Sequence, residues 1–582
     1  MARPGDTSAE VRRAPVITAR HVVRAARVVA ARFGLSWTGL LFGAGYVIVA
    51  LSPSLLPRTW FYQGLVCGIC GAAGYGLGAL LAWLSRGVRR VLQLDVTVGE
   101  EQGHWLRVGW FTLLAAAFVW AIVANVRSQA VTASVVHLSP LTPLDWVGVL
   151  VLTPVVWVAL VALGRGIRHV TLRVEDRAAR VLPTAVATVV AVVMVLFVAA
   201  WFTDNIVMQR GVQLFGRYSA YLNSQSPEGR SAPTSPLLSG GPGSPETYAS
   251  LGYQGQVFVT QALTPAQINA ATGAPAMQPI RAYAGVHGSE TITQTADRVV
   301  AELRRTHAFD RKVLAVFTTT GNGWVNDWSA QSIEYLTGGN SAIATMQYSY
   351  LPSALELLTD RTTPRQAGRV LFDKVYDVWA RLPADARPQL VLGGESLGAY
   401  GGLAAFTGVD DMLARAEGGV WSGTPSFSSI AEELYASRTQ GSPQIAPVID
   451  NGRHIRFAAG GVGLVTDYVG RPLGPWLQPR FVFLQHPSDP VVWWNPALLG
   501  SEPDWLREPL GRDVNPDVTW IPFVTFWQLT TDMAVGLNPP YGYGHRYGPE
   551  MVPAWGAVLG GEPGRDYSRI LAAIERTASR TE

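Results

Sequence analysis

Cysteine, lysine and charge are all scarce in this chain of 582 residues. Its two cysteines, Cys67 and Cys70, exclude a disulfide scaffold. Only Lys312 and Lys374 are lysines, so the basic side chains are almost entirely arginine. Charged residues make up 15% of the chain, whereas a typical soluble protein has about 25%. With 48% hydrophobic residues, the sequence is not that of a disordered chain either. No H-E-x-x-H, zinc-ligand or P-loop pattern is present, so neither a metal nor another cofactor is expected. The formal net charge of +4 conceals a division. Residues 1–205 carry 18 arginines against 9 acidic residues, and residues 206–582 carry 28 basic against 33 acidic. The basic half is also the apolar half. The acidic half lacks the clustered cations that phosphate neutralisation requires, so no nucleic-acid partner is expected.

Five apolar stretches lie near residues 37–57, 61–84, 106–126, 145–164 and 182–202. Each approaches the roughly 20 residues that a helix needs to cross a hydrocarbon core. Leu113 to Val123, Val147 to Leu163 and Ala185 to Trp201 run without a charge. The first stretch contains Pro53 and leads almost directly into the second. Arginines alternate between the connections. Arg3, Arg12, Arg13, Arg20, Arg24, Arg27 and Arg32 precede the first span, Arg86, Arg89, Arg90 and Arg107 follow the second, and Arg165, Arg168, Arg173, Arg177 and Arg180 follow the fourth. The opposite connections hold only Arg58 and Arg127. Positive charge marks the cytoplasmic side. The expectation is a multi-pass plasma-membrane protein with its N-terminus inside and residues after 203 outside. No short apolar core with a small-residue cleavage site stands near Met1, so the first span is expected to target the chain. Arg20, Arg24 and Arg27 form a basic helical stripe suited to an anionic leaflet. Cys67 and Cys70 lie inside the second stretch, where small residues at helix contacts are a better reading than redox chemistry.

The expected organisation is a basic cytoplasmic segment (1–36), a five-span helical membrane domain (37–203), a linker (204–249) and an α/β domain (250–582). The Pro/Gly/Ser-rich tract 224–245 reads as linker or long loop. Beyond it, strands are expected at Ile280 to Val286, Val313 to Thr320, Ile343 to Tyr348, Gln389 to Gly394, Gly418 to Trp421 and Arg480 to Gln485. Helices are expected over 290–306 and 364–382 and from about Leu397. Alternation of this kind implies one doubly wound domain with a mainly parallel sheet, whose sites lie at the carboxyl ends of strands.

Gly394-Glu395-Ser396-Leu397-Gly398 matches G-x-S-x-G between an expected strand and an expected helix, the context of a nucleophile elbow. A serine hydroxyl needs a histidine to take its proton and a carboxylate to orient that histidine. In chain order the acid and then the histidine should follow the serine. His545, in the glycine-rich segment Tyr541 to Gly548, fits the base and looks like part of a mobile loop. Asp489, just beyond the expected strand ending at Gln485, fits the acid better than Asp504, Asp513, Asp517 or Asp532. The Leu397 N–H should supply one oxyanion donor, and the loop Gly321-Asn322-Gly323-Trp324 a second at Gly321 or Asn322. Val286-His287-Gly288 is a rival for that second donor.

These residues resemble an actinobacterial membrane-anchored α/β-hydrolase family with an N-terminal multi-span region and a C-terminal hydrolase domain. The matching pieces are Ser250 to Gly255, Gly321 to Val325, Gly393 to Gly398, Pro487 to Trp494 and Gly544 to Gly548. The loop expected as Gly-Thr-Gly-Trp reads Gly-Asn-Gly-Trp here, which leaves its backbone donors in place. The resemblance implies hydrolase chemistry without defining the substrate. The first reading is therefore an esterase or lipase-like serine hydrolase acting on acyl esters of the cell envelope. Tethering to a membrane and the aromatic residues Trp493, Trp494 and Trp505 favour a lipid-like substrate, with core packing as the other account of those tryptophans. The alternatives are an acyltransferase using the same acyl-enzyme and a non-catalytic envelope scaffold or regulator.

Overall fold

The computed structural model describes residues 34–92, 100–202, 204–205, 210–562 and 564–578. The N-terminal arginines, including the Arg20, Arg24 and Arg27 stripe, lie outside the described residues. The chain divides into two compact units. One takes in the residues up to Ser52, Thr59–Ser128 and Leu141–Gly166. The other takes in Pro53–Arg58, Gln129–Pro140 and everything from Ile167 onward.

The apolar stretches form helices α1 (Trp37–Ala50), α2 (Trp60–Val91), α3 (Glu100–Val135), α4 (Pro143–Ala178) and α5 (Thr184–Phe202). Among the described residues, four helical segments are long and apolar enough to cross a membrane: Trp60–Arg89, Val108–Val135, Pro143–Ala178 and Thr184–Phe202. The first helix is shorter than the stretch 37–57 suggested. It starts at a Ser36 cap that accepts the Gly39 N–H and ends at Ala50. Ser52 and Pro53 follow, and proline cannot donate into a continuing helix. The turn after α1 is held in part by Gln63, whose amide donates to the Ala50 carbonyl at 3.1 Å. Cys67 and Cys70 are buried on α2.

In the second unit, seven strands form one all-parallel sheet: β1 (Ile280–Ala284), β2 (Val313–Thr318), β3 (Ser341–Met346), β4 (Gln389–Glu395), β5 (Gly418–Ser422), β6 (Ile455–Ala458) and β7 (Arg480–Leu484). Their spatial order is β1-β3-β2-β4-β5-β7-β6. Every residue of β2 is buried, as expected of a parallel sheet covered on both faces. Strand alternation divides the core. Leu314 and Val316 join one cluster with Val299, Leu371 and Val375. Val313, Ala315 and Phe317 join the other with Ile333 and Trp555. The first face is covered by α6 (Ile292–Arg305) and α8 (Thr362–Trp379), the second by α7 (Asp327–Leu336) and α11 (Met551–Val558). Thr291 and Gln294 close a capping box at the start of α6, and Asn326 caps α7 by accepting the Ser329 N–H at 3.0 Å. Two further helices bear on the site, α9 (Leu397–Leu403) and α10 (Val524–Met533).

Three expectations change. The tract 224–245 is not a loose linker. Leu238 forms a parallel bridge with Arg281, the Ser239 N–H donates to the Arg281 carbonyl at 3.0 Å, and Ser239 is fully buried. The tract thus pairs with the edge strand β1, which would otherwise offer unpaired backbone groups. Strand β6, with the sequence Ile-Arg-Phe-Ala, was not among the expected strands. Its Arg456 is buried, donating to the carbonyls of Gly452 (2.8 Å) and Gly474 (2.6 Å) with its guanidinium over Trp476. Trp493, Trp494 and Trp505 are core residues at 1%, 5% and 2% exposure, so they present no face to a lipid.

Candidate active site

The elbow forms where β4 meets α9. Ser396 adopts φ 57° and ψ −121° between them, a strained conformation of the kind stored at functional turns. The flanking glycines are required by close approach. A Cβ on Gly394 would lie 2.7 Å from the Gly398 backbone, and one on Gly398 would lie 2.3 Å from the Thr318 carbonyl oxygen on β2. The Ser396 N–H donates to the Ser422 carbonyl at the end of β5, at 2.9 Å. Gly423, the next residue, touches the His545 ring so closely that a Cβ there would sit 2.5 Å from Cε1. Ser396 and His545 are therefore both assembled around the end of β5.

Asp489 follows β7. Its Oδ2 lies 2.7 Å from His545 Nδ1 and accepts the Tyr547 hydroxyl at 2.7 Å. Its Oδ1 accepts the Val491 N–H at 2.8 Å. Burial works against the charged form of His545, but the Asp489 carboxylate on Nδ1, aided by Glu395, holds its pKa above the ordinary histidine value. Burial and the same carboxylate keep the Tyr547 phenol protonated, with its pKa raised well above normal. Asp513 and Asp532 point elsewhere: Asp513 accepts the Ser488 hydroxyl at 2.5 Å, and Asp532 accepts the Leu55 N–H at 3.2 Å.

The histidine loop is pinned, contrary to the expectation of mobility. The Gly544 N–H donates to Ser488 Oγ at 2.9 Å, the Gly544 carbonyl lies 2.8 Å from His486 Nδ1, and the His545 N–H donates to the Gly536 carbonyl at 2.8 Å. His486 is fully buried, is held by Glu550 at 3.0 Å and stacks on Tyr547. Burial opposes its charge, and the Glu550 contact more than offsets this, so its pKa is raised.

Leu397 opens α9, where a helix leaves its first N–H groups without intrahelical acceptors. The Gly321–Asn322 loop beyond β2 closes as a tight turn. The Thr320 N–H donates to the Trp324 carbonyl and the Gly323 N–H to the Thr320 carbonyl, both at 3.0 Å. The Gly321 N–H makes a long bond of 3.4 Å to Ser353 Oγ, and the Asn322 carbonyl accepts from Gln347 at 2.9 Å. His287, the rival position, belongs to another cluster, 3.4 Å from Glu246 and 3.3 Å from Arg298.

Residues 280–568 match the model of an alpha/beta-hydrolase family, and residues 51–262 match the model for that family's N-terminus. The chain belongs to this α/β-hydrolase family. The family's two models meet near β1, so the tract that pairs with β1 falls within the N-terminal match. Among solved structures, Trichoderma reesei cutinase in complex with a C11Y4 phosphonate inhibitor is similar to part of the chain. It is 13% identical, covers 42% of this chain and 86% of its own, and has a TM-score of 0.19. No curated protein matches the chain.

Motif reading missed three groups around Ser396, Asp489 and His545. Tyr547 stands two residues after His545 and shares its carboxylate, and an H-x-Y spacing in the loop was the available signal. Gly423 yields to the histidine ring, within the run Trp-Ser-Gly-Thr-Pro. Glu395, the variable residue of the elbow, is buried against Asn326 (2.7 Å) and Ser422 (3.1 Å). Burial, opposed by His545 and those two bonds, pushes its pKa up to about 7.

Proposed function

We propose that this protein is a membrane-held serine hydrolase that cleaves acyl esters of envelope lipids through Ser396, His545 and Asp489. The observation that carries the reading is the 2.7 Å contact between His545 Nδ1 and Asp489, formed beside a strained elbow serine. Ser396 Oγ attacks the ester carbonyl while His545 Nε2 takes its proton, and Asp489 holds the Nδ1–H tautomer. The Leu397 N–H, at the positive end of α9, stabilises the oxyanion, with a second donor from the Gly321–Asn322 loop. The tetrahedral intermediate collapses as His545 returns the proton to the departing alcohol. Water then attacks the acyl-enzyme by the same route and releases the acid. Retention of long apolar helices in the same chain supports a substrate that is itself held in a membrane.

An outside position of the hydrolase domain is supported by two connections that bond to its residues. The Leu55 N–H of Pro53–Arg58, between α1 and α2, donates to Asp532, and His137 of Gln129–Pro140, at the end of α3, lies 2.9 Å from the Tyr543 hydroxyl. If these connections share its side, α2 and α3 cross away and back, and α4 and α5 do the same. The arginine-rich connections after α2 and α4 then face the cytoplasm, and the hydrolase lies outside. A fluorophosphonate probe should label the wild type and not Ser396→Ala, and purified protein should release acid from acyl lipids. Absence of both sinks the reading. A reporter fused after Glu582 should be active outside the cell, and an inside signal would reverse the topology.

A further inference from the structure

Two segments that the sequence places between membrane helices hold the His545 loop from two sides. The first is Pro53–Arg58. Asp532, near the end of α10, accepts the Ser54 hydroxyl, the Leu55 N–H at 3.2 Å and the Leu56 N–H at 3.4 Å, with the Arg58 guanidinium 3.9 Å away. All of these residues are buried. The chain continues from Asp532 to Gly536, whose carbonyl accepts the His545 N–H. The second segment ends α3. His137 Nε2 lies 2.9 Å from the Tyr543 hydroxyl, and the two rings meet edge to face at 4.8 Å. Tyr543 bridges to Arg546 across the turn that carries His545.

The backbone at His137 gives an independent reason to attend to this contact. Its φ is +55°. The Leu138 N–H donates to the Ala133 carbonyl at 2.8 Å and the His137 N–H to the Ser134 carbonyl at 3.3 Å. This is a Schellman ending with His137 in the left-handed position, where glycine is the unstrained choice. At this strained position the imidazole also bonds the Tyr543 hydroxyl.

We propose that His137 and Tyr543 are positioning residues for His545: the end of α3 fixes the tip of the loop so that the imidazole stays in register with Ser396. This rests on the reading of His545 as the catalytic base. Neither residue needs to touch substrate, so removing the pair should lower turnover and leave substrate binding intact.

The test uses the full-length protein in lipid nanodiscs, with His137→Gly, Tyr543→Phe, the double variant and His137→Gln. Glycine relieves the helix end, so His137→Gly should accumulate as folded protein, and glutamine keeps a group able to bond the phenol. One readout is kcat and KM on a p-nitrophenyl ester, normalised to sites titrated with a fluorophosphonate. The other is backbone hydrogen exchange over residues 536–548. Each single variant should lose about tenfold in kcat, with KM within twofold. The double variant should lose no more than either single, and His137→Gln should recover most of the activity. Exchange should quicken over 536–548 and stay unchanged in β2. Unchanged kcat per titrated site, additive losses in the double variant, or unchanged exchange would overturn the proposal. If wild type takes no label, the hydrolase reading fails on its own, and the exchange result still decides whether the pair holds the loop.

Discussion

Val189 and Val313 are one residue type in two settings. On α5, Val189 is 62% exposed, while on β2 Val313 is 1% exposed. Around Val189 lie 19 helical residues without a charge. Val313 starts a six-residue strand, preceded by Lys312 and followed by a turn. Apolar content does not separate the two settings, but the length of the uninterrupted run does. A long run can keep its side chains outward where its surroundings are apolar, and short runs bounded by polar turns can be buried only by packing on one another. The proposed Ser396 and Asp489 belong to the second kind of region, beyond the ends of β4 and β7, with the proposed base His545 in the loop before α11.

The largest expected effect tests whether chemistry is confined to that region. Ser396→Ala should lower ester cleavage by at least about 10⁴-fold, with membrane integration and hydrogen exchange of the sheet unchanged. Ester turnover surviving in that variant would move the chemistry elsewhere. Gly423→Ala should come next. The new methyl would stand 2.5 Å from His545 Cε1, so the ring must move away from the elbow. A loss of about 10²-fold in kcat is expected, because small misplacements of a reacting group cost that much. Wild-type kcat in this variant would mean that the imidazole does not work from the position beside Gly423.

A third pair of substitutions exchanges the two settings directly. Val189→Arg should disfavour insertion of α5 by roughly 3 kcal/mol, read as a smaller membrane fraction of the expressed protein, with normal fluorophosphonate labelling of what does insert. Val313→Arg buries an unpaired charge among the β2 core contacts and should leave little folded hydrolase to label. If both variants behave alike, the outward side chains of α5 do not face lipid.

The same contrast explains what could be read from the chain alone. Six strands stood out as β-branched or aromatic runs between turn residues, and the elbow stood out because G-x-S-x-G lay between a strand and a helix. Asp489 and His545 were placed by chain order and by nearness to a strand end, and the structure brings them to 2.7 Å. What stayed hidden depends on partners distant in sequence. The four-residue β6 gave no signal of its own, and its Arg456 is buried by Gly452 and the more distant Gly474 and Trp476. The Ser-Pro-Gly tract read as a linker or long loop because its partner, the edge of β1, lies about 40 residues further along. The tryptophans after Asp489 left both a lipid-like substrate and core packing open because composition cannot say which side of a short helix is covered, and the structure buries them. The end of α1 was hidden for a related reason: the apolar Leu55 and Leu56 extend the hydropathic stretch, yet they are buried beside Asp532.

The smallest expected effect concerns Glu395, a titrating group inside the region of short buried runs. Burial holds its pKa at about 7, against 4.5 for the free side chain. Between these values the unfolded chain has released the proton that the folded protein retains. Its contribution to stability is therefore fully present below about pH 4.5 and is lost as pH rises towards 7. The total is at most on the order of 3 kcal/mol, because each tenfold change in proton affinity is worth about 1.4 kcal/mol. Glu395→Gln keeps an acceptor for Asn326 and cannot titrate, so melting temperature should fall less between pH 5 and 8 than in wild type. The carboxylate also raises the His545 pKa. The acid limb of kcat/KM, set by protonation of His545 and expected above its ordinary value of 6.5, should therefore move to lower pH in Glu395→Gln, by less than about one pH unit. An acid limb that stays in place would mean that the elbow carboxylate and the imidazole do not sense each other. Glu395 would then act only as a buried bridge between Asn326 and Ser422.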